Sequence, residues 1–104
     1  MSRKITEQAT RAFLRGENFH LSNTDVRTYM GGLVELTLWG NVIAFYSKHA
    51  DKNIKFNLCG WNTNTTRERL RGLGINITTR RGKIYFDGKE IEARKIYDSG
   101  IMAF

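Results

Sequence analysis

Between Arg67 and Lys83 stand six basic side chains, Arg67, Arg69, Arg71, Arg80, Arg81 and Lys83, against one acid, Glu68. They hold +5 of the chain's formal +7. A guanidinium presents a planar fork of donors that matches a pair of phosphate oxygens, so a cluster dominated by arginine over lysine points to phosphate contacts. In the same region Thr65 is expected to cap a short helix over 66–72, with Glu68 three residues on reaching back to the cap's backbone. Thr65 and Thr66 would then sit at a helix start whose unpaired N–H groups and partial positive charge also suit an anion. If that helix and the Arg80-Arg81-Gly82 turn lie side by side, their cations make a ridge able to follow a phosphate backbone. Charge runs also form ordinary solvated faces. Clustering in the folded chain separates the two.

Aromatic residues offer a second chemistry. Trp39 and Trp61 stand beside glycines at expected strand ends, where an indole is placed to stack on a base or to close the end of a core. Trp61 fits the core role. Trp39 fits either, and with Tyr46 it is a candidate anchor for a protein partner. Tyr46, Tyr85 and Phe86 are strand aromatics among basic residues, the pattern of single-strand platforms, although strict ribonucleoprotein motifs are missing.

Catalytic constellations are not apparent. His20 and His49 lie in separate polar turns without a nucleophile or a metal-ligand partner at a defined spacing. Cys59, after an apolar strand and before Gly60, suits packing better than chemistry. Asp25 with Asp51, or Asp87 with Glu90 and Glu92, are too loosely spaced to define a paired carboxylate site. Gly72 and Gly74 end a helix instead of opening one, so they are no phosphate-binding fingerprint. The expectation is a binding protein that is not an enzyme, without metal or cofactor.

The elements that must position these residues follow from periodicity. Ile5, Ala9, Ala12 and Phe13 recur at helical spacing up to Gly16, which predicts an amphipathic helix over 4–15. After a loop over 16–20, short β-branched and aromatic runs alternate with turns: 26–29, the Gly31-Gly32 turn, 33–39, the Gly40-Asn41 turn, then 42–47. Ile54, Phe56 and Leu58 alternate with Lys55 and Asn57 in a fourth strand. Beyond the short helix, 75–79 and 83–86 flank the arginine turn, and Asp87-Gly88 leads by a hairpin to Lys89–Ile91. The apolar Ile96, Tyr97, Ile101, Met102 and Phe104 predict a tail docked on the body. The fold class is α+β: one antiparallel, meandering sheet packed by the N-terminal helix, with a short second helix inserted between strands.

At 104 residues the chain is expected to form one domain over 1–104. A pI near 9.9 favours a polyanionic partner. The single cysteine excludes an internal disulfide and fits a reducing setting. The first residues lack a signal peptide's apolar run and no stretch is long enough to span a bilayer, so a cytoplasmic location without membrane contact is expected. Two glycosylation-like triplets, at Asn64 and Asn76, have no meaning without secretion.

Ser22-Asn23-Thr24, Gly40-Asn41-Val42-Ile43-Ala44, Gly60-Trp61-Asn62-Thr63-Asn64-Thr65-Thr66-Arg67-Glu68-Arg69-Leu70 and Asp87-Gly88 together resemble a group of short proteins encoded by tailed bacteriophages. The likeness covers most of the chain and departs after Ile91, where the tail is longer and basic. It implies a phage setting, hence the host cell cytoplasm, and brings no activity or site residues with it. Two readings follow. One is an accessory protein that binds DNA or RNA non-specifically through the arginine ridge; the other is a host-takeover or anti-CRISPR-like inhibitor docked on a host protein complex.

Overall fold

A computed structural model describes residues 2–60 and 62–103, with α1 (Ser2–Arg15) opening the chain. Ala9, Ala12 and Phe13 are buried on its inner stripe, beside Thr6. Gly16 ends the helix at φ +68°, where a left-handed residue lets Glu17 N–H reach the Ala12 carbonyl at 2.9 Å. Five strands follow: β1 (Phe19–Leu21), β2 (Thr24–Thr28), β3 (Leu33–Leu38), β4 (Asn41–Ser47) and β5 (Asn53–Phe56). Next come α2 (Asn64–Gly72), β6 (Ile77–Arg80), β7 (Lys83–Phe86), β8 (Lys89–Ile91) and β9 (Tyr97–Met102).

The α+β class stands, but the strands divide into two antiparallel sheets instead of one. Six strands run in the order β1-β2-β3-β4-β5-β9, and β6-β7-β8 form a separate three-stranded meander. The division lies at α2, because the chain leaves the large sheet after β5 and returns to its edge only with β9. The tail therefore docks as expected, by pairing Asp98 with Lys55 and Tyr97 with Phe56. The expected loop over 16–20 contains the start of β1, whose register puts Phe19 against Val26 and His20 against Asp25.

Two turns also differ from the sequence pattern. The β2–β3 connection is a four-residue loop over 29–32, closed by Gly32 N–H to the Tyr29 carbonyl at 2.9 Å, instead of a Gly31-Gly32 pair. The β3–β4 turn is Trp39-Gly40, with φ of +51° and +80°, and Asn41 already belongs to β4. Two successive positive φ values match the right-handed twist of the flanking strands, as short hairpins require. Arg81-Gly82 and Asp87-Gly88 repeat that geometry in the small sheet.

Register decides which side chains face the core. Val26, Leu36, Ala44 and Phe56 align across four strands, and Thr28, Val34 and Tyr46 across three. Phe13 of α1 meets Tyr46 edge-on at 5.0 Å, Arg69 of α2 reaches Thr24, and Phe86 of the small sheet meets Phe56 at 5.0 Å. All three layers thus press on one face of the large sheet, and their shared core holds Leu58, Leu70, Ile75, Ile77, Ile84 and Ile91. The two helices approach closely at Gly72, where a Cβ would stand 2.5 Å from Thr6 Cγ2 and 2.9 Å from Thr10 Oγ1. No helix among the described residues is long and apolar enough to cross a membrane.

Candidate nucleic-acid interface

The cap of helix α2 lies two residues before the expected one. Thr63, not Thr65, accepts the Thr66 N–H on its Oγ1 at 3.1 Å. The expected reciprocal bond from Glu68 is replaced, since its carboxylate accepts from Thr6 Oγ1 at 3.2 Å and from Arg69. The reason is competition between a local cap and tertiary partners. Thr63 sits where β-region backbone lets a threonine cap, and the docking of α1 draws Glu68 sideways. Thr66 is buried, with its hydroxyl against that of Thr63, and Thr65 is half-buried.

The six cations do not form one ridge. Arg69 is only 2 % exposed and faces inward, donating from Nε to Thr24 Oγ1 at 3.1 Å and from Nη1 to Thr6 Oγ1 at 2.6 Å. With Glu68 Oε2 at 2.9 Å from the same nitrogen, it ties α1, α2 and β2 together. At positions 67, 69 and 71 a helix of 3.6 residues per turn cannot point every side chain outward, and the middle one meets α1. Arg67 is half-buried and folds over the first turn of α2, donating to the Asn62 carbonyl at 3.1 Å and to the side chains of Asn62 and Asn64. Burial, and after it the charge of Arg71 one turn on, pulls its guanidinium below the ordinary value.

Arg71, Arg80, Arg81 and Lys83 are exposed. Arg71 Nε donates to the Ile77 carbonyl at 2.8 Å, which pins its guanidinium at the first residue of β6. Arg80 ends the same strand, three residues along and so roughly 10 Å away at about 3.3 Å per residue. Across the Arg81-Gly82 turn Arg80 pairs with Lys83, whose Nζ lies 3.9 Å from Glu90. The helix end and the arginine turn are thus joined through one strand.

Beside these cations Tyr85 faces away from the core, since Thr78, Tyr85 and Glu90 align across the three strands while Thr79, Ile84 and Ile91 align on the inner side. An open cleft of about 390 Å³ is lined by Thr78, Thr79, Arg80, Tyr85 and Gly88. The sequence signal for this face was the period-two alternation of 78, 80, 83 and 85. A larger groove, about 530 Å³, lies elsewhere, between α1 and β1. There Arg11 and Glu17 both line the wall, a mixed charge without convergence on one ligand.

Of the aromatic candidates, Tyr46 is 1 % exposed, and its hydroxyl donates to the Phe13 carbonyl at 2.6 Å. It is a core residue and presents no surface; burial raises its pKa. Phe86 packs on Phe56. Trp39 is 57 % exposed at the tip of the β3–β4 hairpin. Trp61 lies outside the described residues. His20 pairs with Asp25 on the outer side of β1 and β2, His49 is exposed, and Asp51 pairs with Lys55, so Asp25 and Asp51 serve different partners. Cys59 donates to the Val42 carbonyl at 3.0 Å, and burial raises its pKa, in keeping with packing. Among the described residues no group of three His, Cys, Asp or Glu side chains gathers as a metal site.

A family model described as Kyanoviridae Gp96 protein matches residues 2–103. The chain belongs to that family. It is a phage protein family, in agreement with the likeness read from the Gly60 to Leu70 stretch and the hairpin turns. No curated protein and no solved structure matches the chain.

Proposed function

We propose that this phage protein is a small accessory factor of the host cytoplasm that binds nucleic acid without sequence preference and carries out no chemistry of its own. The contact surface in this reading is the arc of Arg71, Arg80, Arg81 and Lys83, with Tyr85 beside it. The observation that carries it is the Arg71 Nε bond to the Ile77 carbonyl, which holds a helix cation at the start of the strand that Arg80 ends and the Arg81 turn follows. Exposed cations in a line can neutralise successive phosphates and release their counterions, whatever the bases. Among the described residues no recognition helix or zinc module stands ready to read base edges.

The test is salt-dependent binding of unrelated DNA and RNA sequences. Changing Arg80 and Arg81 together to Ala should weaken every sequence alike and lower the salt slope by about 1.4 to 1.8, two contacts at roughly 0.7 to 0.9 each. No salt-sensitive binding by the wild type, or a strong preference for one sequence, would remove the reading. A host-protein inhibitor is the second reading, and Trp39 is the observation that favours it. A large side chain held exposed at φ +51° is an uncommon conformation of the kind that gathers at functional sites. Under that reading Trp39→Ala abolishes capture of the host complex while the arginine variants leave it intact.

A further inference from the structure

The fold covers one face of the six-stranded sheet, and the register orders what stands on the other. Arg27, Glu35, Phe45, Lys55 and Asp98 align directly across β2, β3, β4, β5 and β9. The row runs cation, anion, ring, cation, anion. Laid face to face on a copy of itself turned end for end, it sets Arg27 against Asp98 and Glu35 against Lys55 on both sides, with Phe45 against Phe45 in the middle. Every charge then meets its opposite. We propose that this face is a dimer interface, on which a second copy of the chain packs about a two-fold axis running nearly along β4 at Phe45. Such an interface is isologous and closes on itself. The two sheets would form an aligned sandwich, with strands crossing at about 30°.

Two further observations point to the same occupant. Tyr29, Leu33 and Met102, three of the large apolar side chains that remain exposed, flank the row on one side along the strand direction, and half-buried Val42 of the central strand flanks it on the other. Among the described residues the neighbours in the row do not satisfy each other. Neither Arg27 with Glu35 nor Lys55 with Asp98 closes an ion pair; Lys55 turns to Asp51, Glu35 accepts from the Tyr29 hydroxyl, and Asp98 accepts from Asn53. The face is roughly 20 Å square at about 4.8 Å per strand and 3.3 Å per residue. With side-chain relief that buries on the order of 1,000 Å² over both copies, the lower end of specific interfaces, so a reversible, concentration-dependent dimer is expected.

Sedimentation equilibrium of the full, nuclease-treated chain from low to high micromolar concentration tests this. The wild type should show a monomer–dimer equilibrium. Glu35→Lys and Lys55→Glu should each weaken it at least tenfold, because like charges then face each other twice, and Phe45→Asp should abolish it. Mixing equal amounts of the Glu35→Lys and Lys55→Glu chains should restore a dimer close to wild-type strength, since in the mixed pair both altered positions meet an opposite charge. Loss of an intrachain contact could not be rescued in that way, and circular dichroism of each variant confirms that it is folded. A wild type that stays monomeric throughout, single reversals without effect on a dimer, or a mixture that fails to recover would each overturn the proposal. None of the three substituted positions belongs to the arginine arc, so the outcome is independent of nucleic-acid binding.

Discussion

Replacing Arg69 by Ala distinguishes a cation that holds the fold from one that contacts a ligand. The side chain is almost fully buried and makes hydrogen bonds to Thr24, Thr6 and Glu68, joining three elements. Truncation removes those charge-assisted bonds, leaves buried hydroxyls without their donor and opens a void between α1 and β2. Removing one member of a buried charged network costs about 3–5 kcal/mol. For a domain of this size each kcal/mol shifts the midpoint by about 4–8 °C, so the melting temperature should fall by about 15 °C or more. Arg69→Lys should fall between, because a single ammonium cannot reproduce the guanidinium fork. Arg80→Ala and Arg81→Ala should stay within about 0.5 kcal/mol of the wild type, as exposed residues do. Thermal and urea melts followed by circular dichroism, run beside a nucleic-acid binding isotherm, give both readouts. A variant at position 69 that melts with the wild type but binds nucleic acid poorly would refute the reasoning, since it would make Arg69 a surface contact.

The helix cap offers a paired comparison: Thr63→Ala should cost about 1 kcal/mol while Thr65→Ala costs little, in urea melts, because only Thr63 holds the Thr66 N–H. Equal effects, or a larger one at Thr65, would return the cap to the position expected from sequence. Gly72→Ala should destabilise by about 1–3 kcal/mol despite alanine's better helix propensity, since the new methyl meets Thr6 and Thr10 of α1. A neutral or stabilising result in thermal melts would mean that the helices can separate there without cost. Alkaline stability carries a sign as well. Burial raises the pKa of Cys59 above 9.0 and of Tyr46 above 10.0, so the unfolded chain gives up these protons first and stability falls as pH rises past those values. Urea midpoints between pH 8 and 11 should decline, and less steeply in Cys59→Ser and Tyr46→Phe chains; an unchanged slope in both would contradict the burial of these groups.

Local sequence determined α1, the alternation of Ile54, Phe56 and Leu58, a turn at Arg80-Arg81-Gly82 that the structure tightens to Arg81-Gly82, the Asp87-Gly88 turn, and the docking of the tail, because each rests on a local pattern or on a residue's own conformational preference. The exposed part of the candidate site was legible for the same reason: Arg80, Arg81 and Lys83 sit at a hairpin turn, which points outward in any fold. Only the tertiary structure decided the rest. Whether Arg69 or Arg71 faces water depends on where α1 crosses α2, and Gly72 and Thr6 set that crossing across more than sixty residues of chain. Tyr46 and Trp39 are both aromatics of the β3–β4 hairpin, yet the helix packed on one face buries the first while the turn lifts the second into solvent. The split into two sheets and the charge row from Arg27 to Asp98 depend on β9 returning to the edge of β5, a pairing between distant segments. Local sequence sets what each residue prefers, but a face exists only once non-neighbouring strands have been brought into register.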